Sequence, residues 1–291
     1  MTEPASPPRG TLYVVATPIG NLEDLSARAV RVLGSVDLIA CEDTRTTRPL
    51  LTRQGLSTRL VSHHKFNEPR SAAEILTILD RGGSIALVSD GGTPGISDPG
   101  ALLVRRAREA GHRVVPIPGP SAVVALMSAS GFPAGPFTFI GFLPHRRAER
   151  LRLLQSLRRE SRPLIFFESP QRLLASLEDA LEILGDRQAC LGREMTKLHE
   201  ELVGGTIGSI RAGFGERTPK GEVTFVVAGA SGDETQEEPG DAPRPAPADE
   251  VRRLIAAGWD RKEAMRRVAR ERGCSRRSIY LELLRDKDPA K

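Results

Sequence analysis

The sequence predicts an α/β protein, two α/β domains in succession followed by a small helical module at the carboxyl end. Three observations carry this. Short apolar runs alternate with amphipathic helical patterns through the first 230 residues, as expected for parallel strands covered by helices. Strand-like runs crowd together toward the end of that stretch, which points to antiparallel pairing in a second, mixed sheet. An acidic, proline-rich stretch, 231–248, then separates the α/β part from a basic helical tail.

In chain order, runs at 11–16, 36–41, 59–62, 84–89 and 113–116 read as the strands of a first domain, 10–118. Helical patterns lie between them; the one at 71–81 is closed by Gly82 and Gly83. Punctuation at 116–120 marks the boundary to a second domain, 119–230, with strands at 137–141, 163–168, 188–194, 200–206 and 221–228. In the linker, Pro239, Pro243, Pro245 and Pro247 resist both helix and sheet. The module at 249–285 reads as three helices, 249–257, 260–272 and 276–284. A turn at Gly273 and Cys274 precedes the last of them, and Ser275 caps it.

Composition narrows the classes. A chain of 291 residues with 39% hydrophobic residues has room for two cores. The segment before Gly10 has no apolar stretch of the kind a secretory signal needs, and no run is long enough to span a membrane. Cys41, Cys190 and Cys274 are odd in number and form no CxxC pair, and the five histidines show no ligand spacing. A reducing cytoplasm without structural metal is the expectation. His63 and His64 are adjacent on a strand and point to opposite faces, so they make no metal pair. Net charge is +5, yet residues 244–291 hold 14 basic against 8 acidic side chains. The tail carries the whole excess, which points to a polyanionic partner.

The most distinctive segment is Leu87-Val-Ser-Asp-Gly-Gly-Thr-Pro-Gly-Ile-Ser-Asp-Pro-Gly100, between a strand and a helix. It is neither a dinucleotide fingerprint nor a P-loop, and it has no lysine for a triphosphate. It offers a glycine pair for close backbone approach, the Thr93 hydroxyl, and the carboxylates of Asp90 and Asp98. That inventory suits a neutral or cationic ligand with an adenine, a ribose or a sulfonium. A tight turn whose aspartates merely cap the next helix would look similar. Three further strand ends, at 16–22, 40–45 and 116–122, carry comparable loops, and all four would meet on one rim of one sheet.

Together, "ATPIGNLEDLS", "CEDTR", "LVSDGGTPGISDPG", "PIPGPSA", "GFLP", "REMTKLHE" and "KGE" resemble the tetrapyrrole-methylase-type (class III) methyltransferases. Within them the set is most similar to the branch that acts on ribosomal RNA. The resemblance runs from about Gly10 to Gly229 with the motifs in order; GGTP replaces the commoner AGTP. It implies two α/β domains with a cleft that binds S-adenosylmethionine in a folded conformation. It also implies methylation of a cytidine ribose 2′-hydroxyl in the decoding region of 16S rRNA, by a homodimer acting on the small ribosomal subunit. Carried over by position, Pro18, Ile19, Asp90, Gly91, Gly92, Thr93, Pro94, Ile96, Ser121 and Ala122 are the cofactor contacts.

The 2′-hydroxyl is a weak nucleophile and gains from a base or a nearby positive charge. Lys197 and Glu200 of "REMTKLHE" are the catalytic candidates, Lys197 as an amine whose pKa a neighbouring cation could depress. Glu42, Arg45 and Lys220 are expected at the substrate, with the two cations clamping phosphate. Arg276 and Arg277, opening the last helix of a helix-turn-helix-like module, are further RNA-facing candidates. Two other readings stay open: a same-fold enzyme acting on a porphyrin-type small molecule, and a non-enzymatic nucleic-acid-binding regulator.

Overall fold

The computed structural model describes residues 10–215, 219–231, 246–272 and 275–285. The chain forms two compact units, one up to Gly232 and one from Asp233 onward.

In the first unit, β1 (Thr11–Val15), β2 (Leu38–Cys41), β3 (Leu60–Ser62), β4 (Ser84–Val88) and β5 (Arg113–Ile117) form a sheet in the order β3-β2-β4-β1-β5. All neighbours are parallel. The covering helices are α1 (Ala27–Ser35), α2 (Thr44–Arg53), α3 (Glu68–Asp80) and α4 (Ala101–Glu109). The first two connections run toward the β3 edge and the next two run back. Right-handed crossovers put helices of opposite direction on opposite faces, and the packing follows. Val15, Ile39, Cys41, Ala86 and Val88 meet α1 and α2 on one face, while Leu12, Leu38, Ala40, Ile85 and Leu87 meet α3 and α4 on the other. Adjacent β2 and β4 therefore send their chains to opposite sides, which opens a crevice at their carboxyl ends.

Local chemistry sets the helix starts. Ser26 Oγ accepts from Ala29 N at 3.1 Å to cap α1, and Asp43 accepts from Arg45 N at 2.7 Å to cap α2. Gly100 has no side chain with which to cap α4, so the Glu68 carboxylate accepts from Gly100 N and Leu102 N at 3.0 and 3.3 Å. Helix α3 begins three residues earlier than the sequence spacing predicts, because Pro69 fits its first turn.

The second sheet combines β6 (Thr138–Phe142), β7 (Leu164–Glu168), β8 (Gln188–Arg193), β9 (Glu201–Thr206) and β10 (Val223–Val227) in the order β6-β7-β10-β8-β9. Only β6 and β7 are parallel, so the sheet is mixed, as the crowded strand spacing predicts. One face carries Leu164, Phe166, Leu191 and Phe225 under α6 (Arg147–Leu157), α7 (Pro170–Leu184) and α8 (Ile207–Phe214). Phe166 and Phe225 stack there at 5.0 Å between centroids. The other face, with Ile165, Cys190 and Val226, is covered by Val123 and Leu126 of α5 (Ala122–Ala129). Since α5 leaves β5 of the first sheet and packs on the second, it ties the two together.

The second unit holds α9 (Pro247–Ala256), α10 (Arg261–Arg272) and α11 (Arg276–Arg285) around Ala248, Val251, Ala264, Val268, Ile279 and Leu283. The linker expectation needs a correction at its end. Pro247 belongs to the first turn of α9, where its missing N–H costs nothing, rather than to a segment that resists helix. Residues 232–245, like Gly273 and Cys274, lie outside the described residues. Ser275 Oγ accepts from Ser278 N at 3.1 Å, the cap expected for α11. Among the described residues no helix is long and apolar enough to cross a membrane.

A buried ion pair fixes the segment that follows β6. Arg150, 5% exposed, pairs with the buried Asp179 through Nη2 at 2.6 Å. Its Nη1 donates to the carbonyls of Pro144 and His145 at 3.2 and 3.4 Å. Asp179 also accepts from Arg147 Nε at 2.8 Å. Asp179→Ala would leave the Arg150 guanidinium buried without its counter-charge. We expect a loss of about 3–5 kcal/mol, read as a lower urea midpoint with an unchanged m value.

Candidate active site

The carboxyl ends of the first sheet and the facing edge of the second enclose a cleft of about 770 Å³. The loops after β1, β4 and β5 contribute Thr17–Gly20, Ser89–Thr93, Ile96, Asp98, Ser121 and Ala122. The second sheet contributes Phe142, Phe167–Pro170, Lys197 and Gly221–Thr224. Two loops are locked to each other by a reciprocal backbone bridge. Thr17 N donates to Gly92 O, and Gly92 N to Thr17 O, each at 2.9 Å. Thr17 Oγ1 adds a buried bond to Ser89 O at 3.2 Å, and Thr93 Oγ1 reaches Pro120 O at 3.2 Å. Gly92 sits at φ +85°, a conformation that side chains rarely adopt. A Cβ at Gly91 would come within 3.3 Å of the Pro18 carbonyl, a tight contact that small shifts of the facing loop would relieve.

The first-sheet side of the cleft is acidic. Burial raises the Asp90, Asp98 and Glu42 carboxyls above their ordinary values, and for Glu42 the charges of Asp90 and Asp98 raise it further. Groups with raised carboxyl pKa hold protons more tightly folded than unfolded. Their contribution to stability therefore falls as pH rises through the raised values, and at neutral pH their ionisation opposes folding. A cationic ligand offsets that cost.

On the opposite wall, Glu194-Met-Thr-Lys-Leu-His-Glu200 forms a tight turn in which Glu194 and Thr196 take positive φ, 50° and 69°. Lys197 Nζ bonds Glu194 Oε1 at 2.8 Å and Glu222 Oε2 at 2.9 Å. Burial alone lowers the amine pKa, but the bonds to Glu194 and Glu222 outweigh it and the net shift is upward. This corrects the expectation of a depressed lysine: its neighbours are two carboxylates, not a cation, and it stays charged. A side chain at Gly20 would overlap the Lys197 stem, so the first-sheet loop and the lysine are in direct contact.

The structure brings most of the sequence-predicted residues together. Pro18, Ile19, Asp90, Gly91, Gly92, Thr93, Ile96, Ser121, Ala122 and Lys197 all line the cleft, whereas Pro94 is buried outside its lining. Ser121 opens α5 without spending its hydroxyl on a cap. Glu200 stands off the cleft and accepts from Thr196 N, bracing the turn. Glu42 is half-buried beside the acidic group. Arg45 is exposed and paired with Asp43, and Lys220 is exposed, its carbonyl accepting from Arg193. Arg276 and Arg277 are exposed in the first turn of α11, within the second unit.

Sequence reasoning missed the aromatic wall and the segment after β7. Phe142 and Phe167 lie 5.4 Å apart between centroids. Glu168 is 2% exposed and accepts from Ser169 N, Ser176 Oγ and Arg172, while Arg172 Nη1 donates to Leu143 O at 3.0 Å. The signal was a carboxylate followed by Ser-Pro at a strand end, the same composition as the four loops that were noticed.

Residues 11–211 match the model of the Tetrapyrrole (Corrin/Porphyrin) Methylases. The chain is 46% identical over 275 residues to a Synechocystis sp. protein named Ribosomal RNA small subunit methyltransferase I, covering 93% of this chain and 96% of the relative. A protein of the same name from Escherichia coli O157:H7 is 44% identical, covering 94% of each chain. One from Thermotoga maritima is 47% identical over 220 residues, 76% of this chain and 99% of the relative. Among solved structures, uroporphyrin-III-C-methyltransferase from Thermus thermophilus superposes with a TM-score of 0.54 at 21% identity, covering 75% of this chain and 94% of that one. The methyltransferase CobJ does so with 0.56 at 18%, covering 76% and 95%. At those identities the likeness shows the fold. The identity along most of the chain shows more: this chain belongs to the tetrapyrrole methylase family, among the methyltransferases named ribosomal RNA small subunit methyltransferase I.

Proposed function

We propose that this chain methylates the ribose 2′-hydroxyl of a cytidine in the decoding region of 16S rRNA, using S-adenosylmethionine, as a homodimer in the cytoplasm. We assign residues 10–118 and 119–230 to two domains that wall the cleft. The observation that carries the reading is this cleft, glycine-lined and acidic on one wall with a cationic lysine on the other, in a chain whose relatives are named for ribosomal RNA.

The residues present fit the cofactor. Glu42, Asp90 and Asp98 supply negative charge, only partly offset by His64, Arg45 and local hydrogen bonds, for a ligand bearing a sulfonium and an ammonium. Ile19, Leu22, Ile96, Phe142 and Phe167 offer apolar surface for a purine, and the uncommitted Ser121 hydroxyl offers a polar contact. Pro18, Ile19, Asp90–Thr93, Ile96, Ser121 and Ala122 would hold it, with Pro94 bracing the loop from behind. When bound it supplies an electrophilic methyl group.

The protein's own task is then to hold the ribose oxygen in line and keep water out. Lys197 is charged and oriented by Glu194 and Glu222, so it acts by stabilising negative charge on that oxygen as the hydroxyl proton passes to solvent water, not by accepting the proton itself. Glu200 holds the turn that carries it. Arg45, Lys220, Arg276 and Arg277 are assigned to RNA phosphates. Two arginines in the first turn of α11 oppose the helix dipole, and a phosphate between them would reverse that penalty.

The fold neighbours named for porphyrinoid substrates keep a small-molecule reading as the rival. The deciding experiment offers labelled cofactor with small ribosomal subunits and, separately, with porphyrinoid precursors. We expect label in the subunits, recovered in a dinucleotide that resists alkaline cleavage because its 2′-oxygen is blocked. Label in the porphyrinoid alone would overturn the reading.

Two substitutions divide the site. Gly91 is not at positive φ, so Gly91→Val adds bulk to the cleft without the backbone strain that Gly92 would suffer. Calorimetry should show cofactor affinity reduced at least about 10-fold with the circular dichroism unchanged; unchanged affinity would remove this loop from the site. Lys197→Met keeps the stem and deletes the charge. Single-turnover methyl transfer at saturating RNA should slow by about 100-fold or more, on the scale of losing an electrostatic stabiliser. A wild-type rate would make Lys197 purely structural.

A further inference from the structure

A second groove of about 430 Å³ is lined entirely by one face of α2: Thr44, Arg45, Arg48, Pro49, Thr52 and Arg53. Pro49 and Arg53 also line the main cleft, so the groove opens into it. Helical spacing explains the grouping. Positions 45, 48, 49, 52 and 53 follow the i, i+3, i+4, i+7, i+8 pattern of a single face, while Thr47 and Leu51 on the opposite face are buried.

The charge on this face is poorly balanced. No acidic side chain lines the groove. Asp43 holds Arg45 in a forked pair, Nε to Oδ1 at 3.0 Å and Nη2 to Oδ2 at 2.6 Å. The side chains of Arg48 and Arg53 have no ion pair or hydrogen bond among the described residues. Arg45 and Arg48 repel at i, i+3. Pro49 also lies inside the helix and removes the N–H that the Arg45 carbonyl would accept. The helix thus carries two local penalties on the face that borders the cleft, and a bound polyanion would relieve the first.

We propose that this α2 groove binds backbone phosphates of the RNA and leads the target nucleotide into the cleft, with Arg48 and Arg53 as the phosphate ligands. The proposal rests on the rRNA-methylation reading. A guanidinium presents a planar fork that matches phosphate oxygens, and unlike an ammonium it gives up its water readily. Arg53 is five positions beyond Arg48, about 7.5 Å along the helix axis, so each serves a different phosphate. Arg53, at the junction of groove and cleft, takes the phosphate nearest the reacting ribose.

The test uses the full chain and purified small ribosomal subunits, with binding measured across a salt series. Wild-type protein, Arg48→Gln, Arg53→Gln and the double variant are compared, with Arg81→Gln at the end of α3 as a control for charge loss elsewhere. Each single variant should lower the slope of log affinity against log salt by about 1, and the double variant by about 2. KM for subunits should rise in each, Arg48→Gln should keep wild-type cofactor affinity, and Arg81→Gln should leave the slope unchanged. Wild-type slopes in all three α2 variants would overturn the groove and leave the methylation reading intact. So would an Arg53→Gln variant that loses cofactor affinity at an unchanged slope, since that assigns the arginine to the cofactor carboxylate. A wild-type protein that neither binds nor methylates subunits removes the reading, and the groove with it.

Discussion

The site depends on one backbone interaction, the reciprocal bridge between Thr17 and Gly92. These residues stand just past the ends of β1 and β4, neighbouring strands whose chains then leave toward opposite faces of the sheet. Without a tie, two diverging glycine-containing loops would sample many shapes, each costing conformational entropy on ligand binding. The bridge supplies two hydrogen bonds, and the Thr17 hydroxyl adds a buried third to Ser89. Thr93 then extends the same brace to Pro120, ahead of α5. Three strand ends become one preformed wall, and the bridge constrains the residues on either side of it: Gly92 to positive φ, and Gly91 to lie against Pro18.

The second constraint is electrostatic. Glu42, Asp90 and Asp98 are partly desolvated beside one another, and the resulting upward shifts record a cost that the folded protein bears without a ligand. Arg45 offsets the Asp90 charge only in part, since its guanidinium is paired with Asp43. On the other wall the arrangement is reversed, with one lysine between two carboxylates. One wall is therefore set to receive a cation and the other to present one. The proposed methyl transfer would use that division, since positive charge is lost from the donor while negative charge has to be met on the acceptor oxygen.

Most of this was legible in the sequence, for identifiable reasons. Parallel strands buried on both faces read as continuous apolar runs, so each of the ten strands lies within two residues of its expected place. Loops at their carboxyl ends are rich in Gly, Pro and Asp, which local chemistry alone makes visible. What could not be read was anything that depends on two distant segments meeting. A lowered pKa for the Lys197 amine requires a neighbouring cation, but Glu194 at three residues and Glu222 at 25, across β9 and α8, both bond it instead. Phe142 and Phe167 carry no sequence signal of the cleft, because only the parallel pairing of β6 with β7 brings them together there. Pro247 was misread because linker prolines and a first-turn proline are identical until the helix beyond them is placed.

The C-terminal unit bears on how much of the chemistry belongs to the α/β part. The Thermotoga maritima relative is matched over 99% of its length by 220 residues of this chain. That length accommodates the α/β unit but not the three further helices as well. Under the proposed function, the helices are therefore assigned to RNA affinity rather than to chemistry. Their construction agrees: a small core of six buried side chains, with Arg267 held over Trp259 at 4.9 Å and Arg261 over Tyr280 at 5.7 Å. These two exposed arginines keep their charge at the surface, where the proposed function assigns RNA phosphates. Contacts that strengthen RNA binding in the ground and transition states alike lower KM without raising the chemical rate. Under the proposed function, the rate-setting groups are therefore assigned to the cleft and the basic helices to the residence time of the RNA.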